Sequence, residues 1–286
     1  MIENTHIGLW VEEGQDDKER EFRAAVHTIL AAIANDSTLS ADMVIKGGIL
    51  LAIRYKSYRY TKDIDFSTSK TQHEINPDEL AEKLNSDLIQ AAVKLDYDLD
   101  CRVQSCRIKP ANKPDASFPS VKMKIGYAQK GTIKHRRLLA NKSPTTISID
   151  YSLNEVMPNV ESIAIGTNEI LRAYKLTDLI AEKLRSMLQQ KIRDRTRRQD
   201  IFDLLLLIEK YPDLDVTEKK ELLDSLVKKS KSRGVFPTIN SLDDPEIRQR
   251  SKAHYHTLSD EIDGDLPAFD RTYNAVNKFY KSLPWS

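Results

Sequence analysis

Residues 43–68 constrain this chain more than any other part of it. A short apolar run, residues 43–46, stops at Gly47 and Gly48. A second apolar run, 49–53, follows directly, then the basic and aromatic segment 54–60, and the stretch closes on Asp63–Ile64–Asp65–Phe66. A glycine pair between a strand and a helix lets the backbone turn tightly. It also bares N–H groups at a helix start, where the dipole favours phosphate. The two aspartates stand at i and i+2, so on a strand both carboxylates share one face, roughly 6.5–7 Å apart at Cα. Carboxylates so placed can bracket two divalent cations about 3.5–4 Å apart, the arrangement for in-line phosphoryl transfer. Ile64 and Phe66 alternate with them, so the same strand has an apolar face to bury. Taken singly, the glycines could be an ordinary turn and the aspartates a solvated strand edge. Together they specify strand, turn, helix and acidic strand.

Around this segment the pattern is mixed. Residues 1–16 read as a loose lead-in. Phe22, Ala25, Val26, Ile29, Leu30 and Ile33 recur at helical spacing over 17–34. Pro77 opens a second helix, 77–95, with Leu80, Leu84, Leu88 and Ala91 inward. Three strands are expected at 100–108, 120–127 and 145–153, joined by loops at 109–114 and 129–143. The third strand alternates strictly and carries Asp150 near its end. That carboxylate either joins Asp63 and Asp65 at a metal or caps the turn into Asn154–Glu155.

Beyond residue 166 strand signals fade and helices dominate. The spacing predicts one or two helices over 169–190, with Lys183 near the middle of an apolar stripe. A lysine there either snorkels to solvent or reaches a cleft or an anion. A helix at 199–210 is apolar nearly all round and opens with Asp200 and Asp203. Acids suit a helix N-terminus, so capping competes with a catalytic role for Asp200. Further helices are expected at 216–231, 245–262 and 268–283. The aromatic stripe of the last (Phe269, Tyr273, Val276, Phe279, Tyr280) reads as core packing rather than a base-stacking platform. His254 and His256 point different ways on a helix, against a metal pair.

Charge enters through its distribution. The 286 residues are 30% charged with a net +1, yet no Asp or Glu occurs from 116 to 149, where Lys122, Lys124, Lys130, Lys134, Arg136, Arg137 and Lys142 stand. A second run holds Lys191, Arg193, Arg195, Arg197 and Arg198. Such clusters fit a polyanion partner or a solvated face. Cys101 and Cys106 fall on opposite faces of a regular strand, which argues against a disulfide. No leader is expected at the polar N-terminus, and no apolar run is long enough to span a bilayer, so a soluble, cytoplasmic protein is expected.

The order strand, Gly-Gly, helix, Asp-x-Asp strand resembles the active-site core of the DNA polymerase β-type nucleotidyltransferase superfamily. The fuller pattern K-G-G-x-L-L-A…R-x-T-x-D-I-D-F (Lys46, Gly47, Gly48, Leu50, Leu51, Ala52, Arg59, Thr61, Asp63, Ile64, Asp65, Phe66) is similar to the AbiEii/AbiGii-type nucleotidyltransferase toxins. L-T-D-L-I-A-E-K-L-R-S-M-L at 176–188 and R-R-Q-D-I-F-D-L at 197–204 resemble later motifs of that family. The likeness runs from about residue 46 to 204 and is strongest at its two ends.

The resemblance implies an α+β fold. A polymerase-β-like core with a small mixed sheet would occupy residues 1–165, and a helical domain, 166–286, would complete an active-site cleft. Asp63 and Asp65 carry over as catalytic metal ligands, and the likeness favours Asp150 as a third. Lys183 and Asp200 carry over as catalytic or nucleotide-contacting residues. Lys46, Gly47, Gly48, Arg59 and Thr61 form the phosphate side. The implied activity is Mg²⁺- (or Mn²⁺-) dependent transfer of a nucleoside monophosphate from an NTP to an RNA, such as a tRNA 3′ end. The implied context is a bacterial toxin–antitoxin or abortive-infection system acting in phage defence, with a separately encoded antitoxin as partner. Two other classes compete: a non-catalytic NTP- or RNA-binding module, and a kinase-like phosphotransferase acting on a protein.

Overall fold

The alternation of Ile64 and Phe66 with Asp63 and Asp65 is realised in a seven-stranded mixed sheet, so the fold is of the expected α+β class. The computed structural model describes residues 7–111 and 118–285; residues 112–114 of the loop expected at 109–114 lie outside the described residues. The chain divides into two compact units. The first comprises 1–54, 62–155 and 161–173; the second comprises 55–61, 156–160 and 174–286.

The strands are β1 (Val44–Lys46), β2 (Asp63–Ser67), β3 (Leu99–Lys109), β4 (Ser120–Gln129), β5 (Thr146–Ser152), β6 (Val160–Ala164) and β7 (Ile170–Tyr174), in the order β3-β4-β5-β2-β1-β7-β6. β2 runs antiparallel to β1 and parallel to β5, while β4 is antiparallel to both β3 and β5. One face of the sheet buries Ile64, Phe66, Val121, Met123, Ile125, Ile147, Ile149 and Tyr151. A one-residue slip of β5 would turn its three apolar side chains outward, at roughly 1.5–3 kcal/mol each. The register is therefore fixed by hydrophobic burial, and with it the positions of the polar residues on the other face.

The helices of this unit are α1 (Ile7–Glu12), α2 (Asp17–Asn35), α3 (Ser37–Asp42), α4 (Gly47–Tyr55), α5 (Pro77–Leu95) and α6 (Ile133–Leu139). Asp16 caps α2 by accepting from the Glu19 N–H, and Asn76 caps α5 ahead of Pro77. The buried stripe of α2 packs on α5, and both lie against β3. Two expectations need correcting here. Residues 7–12 of the expected lead-in are helical, with Ile7 and Val11 buried. The expected loop 129–143 contains α6, about two anchored turns whose inward residue, Leu138, is buried.

The cysteines also depart from expectation. A β-bulge between Val103 and Ser105 shifts the register of β3, so that Cys101 opposes Tyr127 and Cys106 opposes Met123. The extra residue puts both cysteines on one face. Both are free thiols. Burial raises Cys106 to about 11 and Cys101 further still.

In the second unit the helices are α7 (Leu176–Leu188), α8 (Gln190–Arg193), α9 (Arg198–Lys210), α10 (Val216–Lys231), α11 (Pro245–Lys252) and α12 (Phe269–Lys281). The region 169–190, expected to be helical throughout, begins instead as β7. There exposed Ile170 and Arg172 alternate with buried Leu171 and Ala173, a period of two rather than 3.6. The helix expected over 245–262 ends at Lys252, because His254 adopts a left-handed backbone with φ 59°. α9 packs against α7 and α12, and the aromatic face of α12 is core, with Tyr273 and Tyr280 almost fully buried. Lys229 of α10 bonds to Asp178 of α7 (3.2 Å) and the Val156 carbonyl (3.0 Å), beneath the Tyr174 ring, which fixes α7 in place. Among the described residues, no helix is long and apolar enough to cross a membrane.

Candidate active site

In the first unit, Asp65 of β2 lies opposite Lys46 of β1 on one side and Asp150 of β5 on the other. Asp150 in turn opposes Lys122 of β4, which opposes Arg107 of β3. Directly opposed residues share a face. The sheet therefore carries a transverse row, Lys46–Asp65–Asp150–Lys122–Arg107, with Asp63 one step along β2 opposite Ser148. Three carboxylates, Asp63, Asp65 and Asp150, thus occupy neighbouring positions on two parallel strands. Asp63 is exposed; Asp65 and Asp150 are half-buried.

Asp150 does not cap the turn after β5. It sits inside the strand with Oδ2 paired to Lys122, while its Oδ1 is shielded from solvent and accepts no hydrogen bond. A buried carboxylate oxygen left without a donor is unfavourable unless something positive receives it. All three donors are hard anionic oxygens, the ligand type that Mg²⁺ and Mn²⁺ prefer. Among the described residues no three such groups have already converged as a ligand set. By donor chemistry and by the orphaned oxygen, these residues fit a divalent cation.

Gly47 explains why a glycine must open α4. Its φ is +72°, and a Cβ there would lie 2.1 Å from Oδ2 of Asp65. The glycine backbone therefore approaches the Asp65 carboxylate as no other residue could. Gly48, next in the helix, is buried. Lys46 is buried too, its Nζ 3.4 Å from Ser152 Oγ and 3.9 Å from Glu155 Oε1. Gly47→Ala is expected to cost more stability than Gly131→Ala. Both need positive φ, worth about 1–2 kcal/mol, but a Cβ at Gly131 meets nothing within 4 Å. Urea denaturation of the two variants measures the difference, and equal destabilisation would remove the Asp65 contact from the explanation.

The second unit holds a separate charged cluster. Residues 58–60 pair with 261–263: Tyr60 N–H donates to the Glu261 carbonyl (2.7 Å), and Asp263 N–H to that of Tyr58 (3.1 Å). Between these bonds Arg59 extends a fork to Asp203 of α9, Nε to Oδ1 at 2.8 Å and Nη2 to Oδ2 at 2.8 Å. Lys183 of α7 donates to the same carboxylate at 2.6 Å and to Asp200 Oδ1 at 3.3 Å. Asp203 is fully buried, and Arg59 and Lys183 nearly so. Lys183 therefore does not snorkel; its ammonium ends inside, between two acids. Asp200 is not a cap either, since α9 starts at Arg198 and its side chain faces Lys183. Its Oδ2 accepts no hydrogen bond, and Arg197 Nε stands 3.8 Å from it. Thr61, half-buried, follows Arg59 in the same segment.

Burial alone would raise the Asp203 carboxyl, but the adjoining Lys183 and Arg59 charges outweigh it and hold the group below the ordinary range. Burial would lower Lys183, yet the charges of Asp203 and Asp200 lift it above its usual value. Both shifts favour the ionised pair. Asp203 is the residue that motif reading passes over. Its signal was a carboxylate inside an otherwise apolar helix, which requires a buried cation to meet it. Lys122, in sequence one member of a basic run, pairs with Asp150 across the strands.

The family model described as nucleotidyl transferase AbiEii toxin, type IV toxin–antitoxin system, matches residues 28–275. The fold is similar to that of JHP933 from Helicobacter pylori, with 16% identity, a TM-score of 0.51, and 94% of this chain and 92% of that chain covered. A second H. pylori structure, provisionally assigned as a nucleotidyltransferase, has 15% identity and a TM-score of 0.49 over 94% and 95% of the two chains. No curated protein sequence matches this chain.

Proposed function

Because the chain belongs to the AbiEii nucleotidyl transferase toxin family, we propose that it transfers the nucleoside monophosphate of an NTP to the hydroxyl of an RNA, such as a tRNA 3′ end, with Mg²⁺ or Mn²⁺. The acceptor hydroxyl loses its proton to solvent, its oxygen bonds to the α-phosphorus as the bond to the bridging oxygen breaks, and pyrophosphate leaves. The observation that carries this reading is the set of three carboxylates, Asp63, Asp65 and Asp150, side by side on parallel β2 and β5. They would hold the divalent cation, whose chemistry there is neutralisation of phosphate charge and activation of the attacking hydroxyl. Gly47 and Gly48 bring the start of α4 to the Asp65 carboxylate, where backbone N–H groups suit a phosphate. Lys46, tied to Ser152 and Glu155, steadies the edge of the row. In the second unit, Lys183 and Asp200 carry the family's catalytic or nucleotide-contacting roles, and Arg59 acts through Asp203 as a positioning residue.

The test is to supply the protein with total RNA and either α-³²P- or γ-³²P-labelled NTP. Label is expected in RNA from the α position and in pyrophosphate from the γ position. Protein labelled from the γ position would make the activity that of a kinase, and no transfer of either label would leave a binding module.

A further inference from the structure

The acid-free basic stretch is not merely a loop: its helix α6 is a platform built onto the sheet. Gly126 of β4 shares a face with Lys124 and Lys122, and so with Asp150 and Asp65 in the neighbouring strands. A Cβ at Gly126 would lie 2.6 Å from Ser143 Cβ and 2.7 Å from Leu138 Cδ1. The absent side chain is what lets α6 and the residues after it lie flat on this face. Five further contacts shape and hold the helix there. Thr132 caps it through the His135 N–H. His135 takes a hydrogen bond from Gly131 N–H at one ring nitrogen and reaches Asp100 at 3.0 Å with the other. Gln104, the bulged residue of β3, bonds Asn141 at 3.1 Å and accepts from Ser143 N–H at 3.1 Å. A helix this short has little stability of its own, so these anchors determine which side chains face out.

Those side chains are Lys134, Arg136, Arg137 and, just beyond, Lys142, all exposed; Lys124 stands exposed on the strand beside them. Among the described residues none of the five makes an ion pair. Elsewhere in this unit exposed or half-exposed cations do find acids, as in Lys70–Asp42, Lys83–Asp36 and Arg20–Asp17. A rigid, unneutralised cationic surface thus adjoins the carboxylates on the same face, with Gly126 and Lys122 roughly 13 Å apart along β4.

We infer that α6, with Lys124 and Lys142, is the docking surface for the phosphodiester backbone of the nucleic-acid acceptor and leads that strand towards Asp150. The inference rests on the reading of an RNA acceptor given above. Phosphate contacts position a nucleic acid without reading its sequence, so the surface sets where the acceptor end falls rather than which RNA is chosen.

The experiment is fluorescence anisotropy of a fluorescein-labelled RNA hairpin, without NTP, over a salt series. The triple variant Lys134→Gln, Arg136→Gln, Arg137→Gln is expected to bind about 10²-fold more weakly near 0.1 M salt, and its log–log salt slope to fall by about 2. The charge-matched variant Lys18→Gln, Lys220→Gln, Lys228→Gln, altered at exposed lysines elsewhere, is expected to bind like the parent. Equal loss in both triple variants, or wild-type affinity in the α6 variant, overturns the inference. So does displacement of the hairpin by poly-glutamate as readily as by unlabelled RNA, since the surface would then take an acidic protein. Because binding is read without catalysis, absence of label transfer by the unaltered protein, with hairpin binding lost only in the α6 variant, would fell the nucleotidyl reading and leave the docking surface standing. Normal transfer with unaltered binding would do the reverse.

Discussion

Asp65→Asn is expected to lower nucleotidyl transfer by about 10³-fold, the order seen when one preorganised charge-stabilising group is lost. The residue stands between Lys46 and Asp150 in the transverse row, against the glycine that opens α4. The amide has the shape of the carboxylate but lacks the charge that a divalent cation needs. Stability should change by less than about 1 kcal/mol. Asp65 lies on the polar face, and like charges directly opposite across strands oppose pairing, so removing one offsets whatever the amide loses. Single-turnover transfer, a thermal melt and a Mn²⁺ titration on the same preparation separate the effects. A folded variant with near-normal transfer and undiminished Mn²⁺ affinity would remove Asp65 from the metal site.

The largest stability effect is expected from Asp203→Asn. This carboxylate is fully buried and takes three charge-assisted hydrogen bonds, two from Arg59 and one from Lys183. Removing its charge leaves two buried cations facing each other, a loss of about 3–5 kcal/mol. Lys183→Met should cost less, because the Arg59 fork remains. The effect also has a defined pH dependence. The folded carboxyl lies below its unfolded value, so its contribution is complete above that unfolded value, about 3.9, and is lost as pH falls through the folded one. Lys183 is raised when folded, so its contribution is present below about 10.4 and is lost only as pH climbs past the folded value. Across neutral pH the deficit of Asp203→Asn should therefore be flat, and it should narrow as the solution is acidified below about pH 4. Urea midpoints over that range test both parts. A deficit that is small at neutral pH, or that grows in acid, would show that the cluster does not hold the helices together.

Local periodicity made the acidic strand legible, because Ile64 and Phe66 had to be buried and their neighbours could not be. It also placed α2, α5, α9, α10 and α12 closely, since each has a long apolar stripe. The failures share a physical cause: the deciding partner was distant. β7 follows the apolar pattern of a helix until β1 is there to pair with it. α6 is too short for a stripe and is held by Gly126, Gln104 and Asp100 from other elements. The faces of Cys101 and Cys106 turn on one bulged residue. Asp203 looked like an acid at the start of a helix because Arg59, its partner, is 144 residues away. The juxtaposition of Asp65 and Asp150 was expected from family likeness alone, as nothing in the local sequence announces a parallel neighbour.

That parallel pairing ties competence to completion of the polypeptide. Asp63 and Asp65 leave the ribosome together, but the whole of α5, the β3–β4 hairpin and α6 must follow before Asp150 emerges. At ordinary rates of synthesis the interval is roughly 4–17 s. Until then β2 has an unpaired edge and two of its three carboxylates, and a long-range parallel contact is among the slower ones to form. On the mechanism proposed above, a chain terminated before β5 is inert, whatever it retains of the glycine-led helix and the acidic strand. On that mechanism, translation to at least Asp150 must precede any transfer.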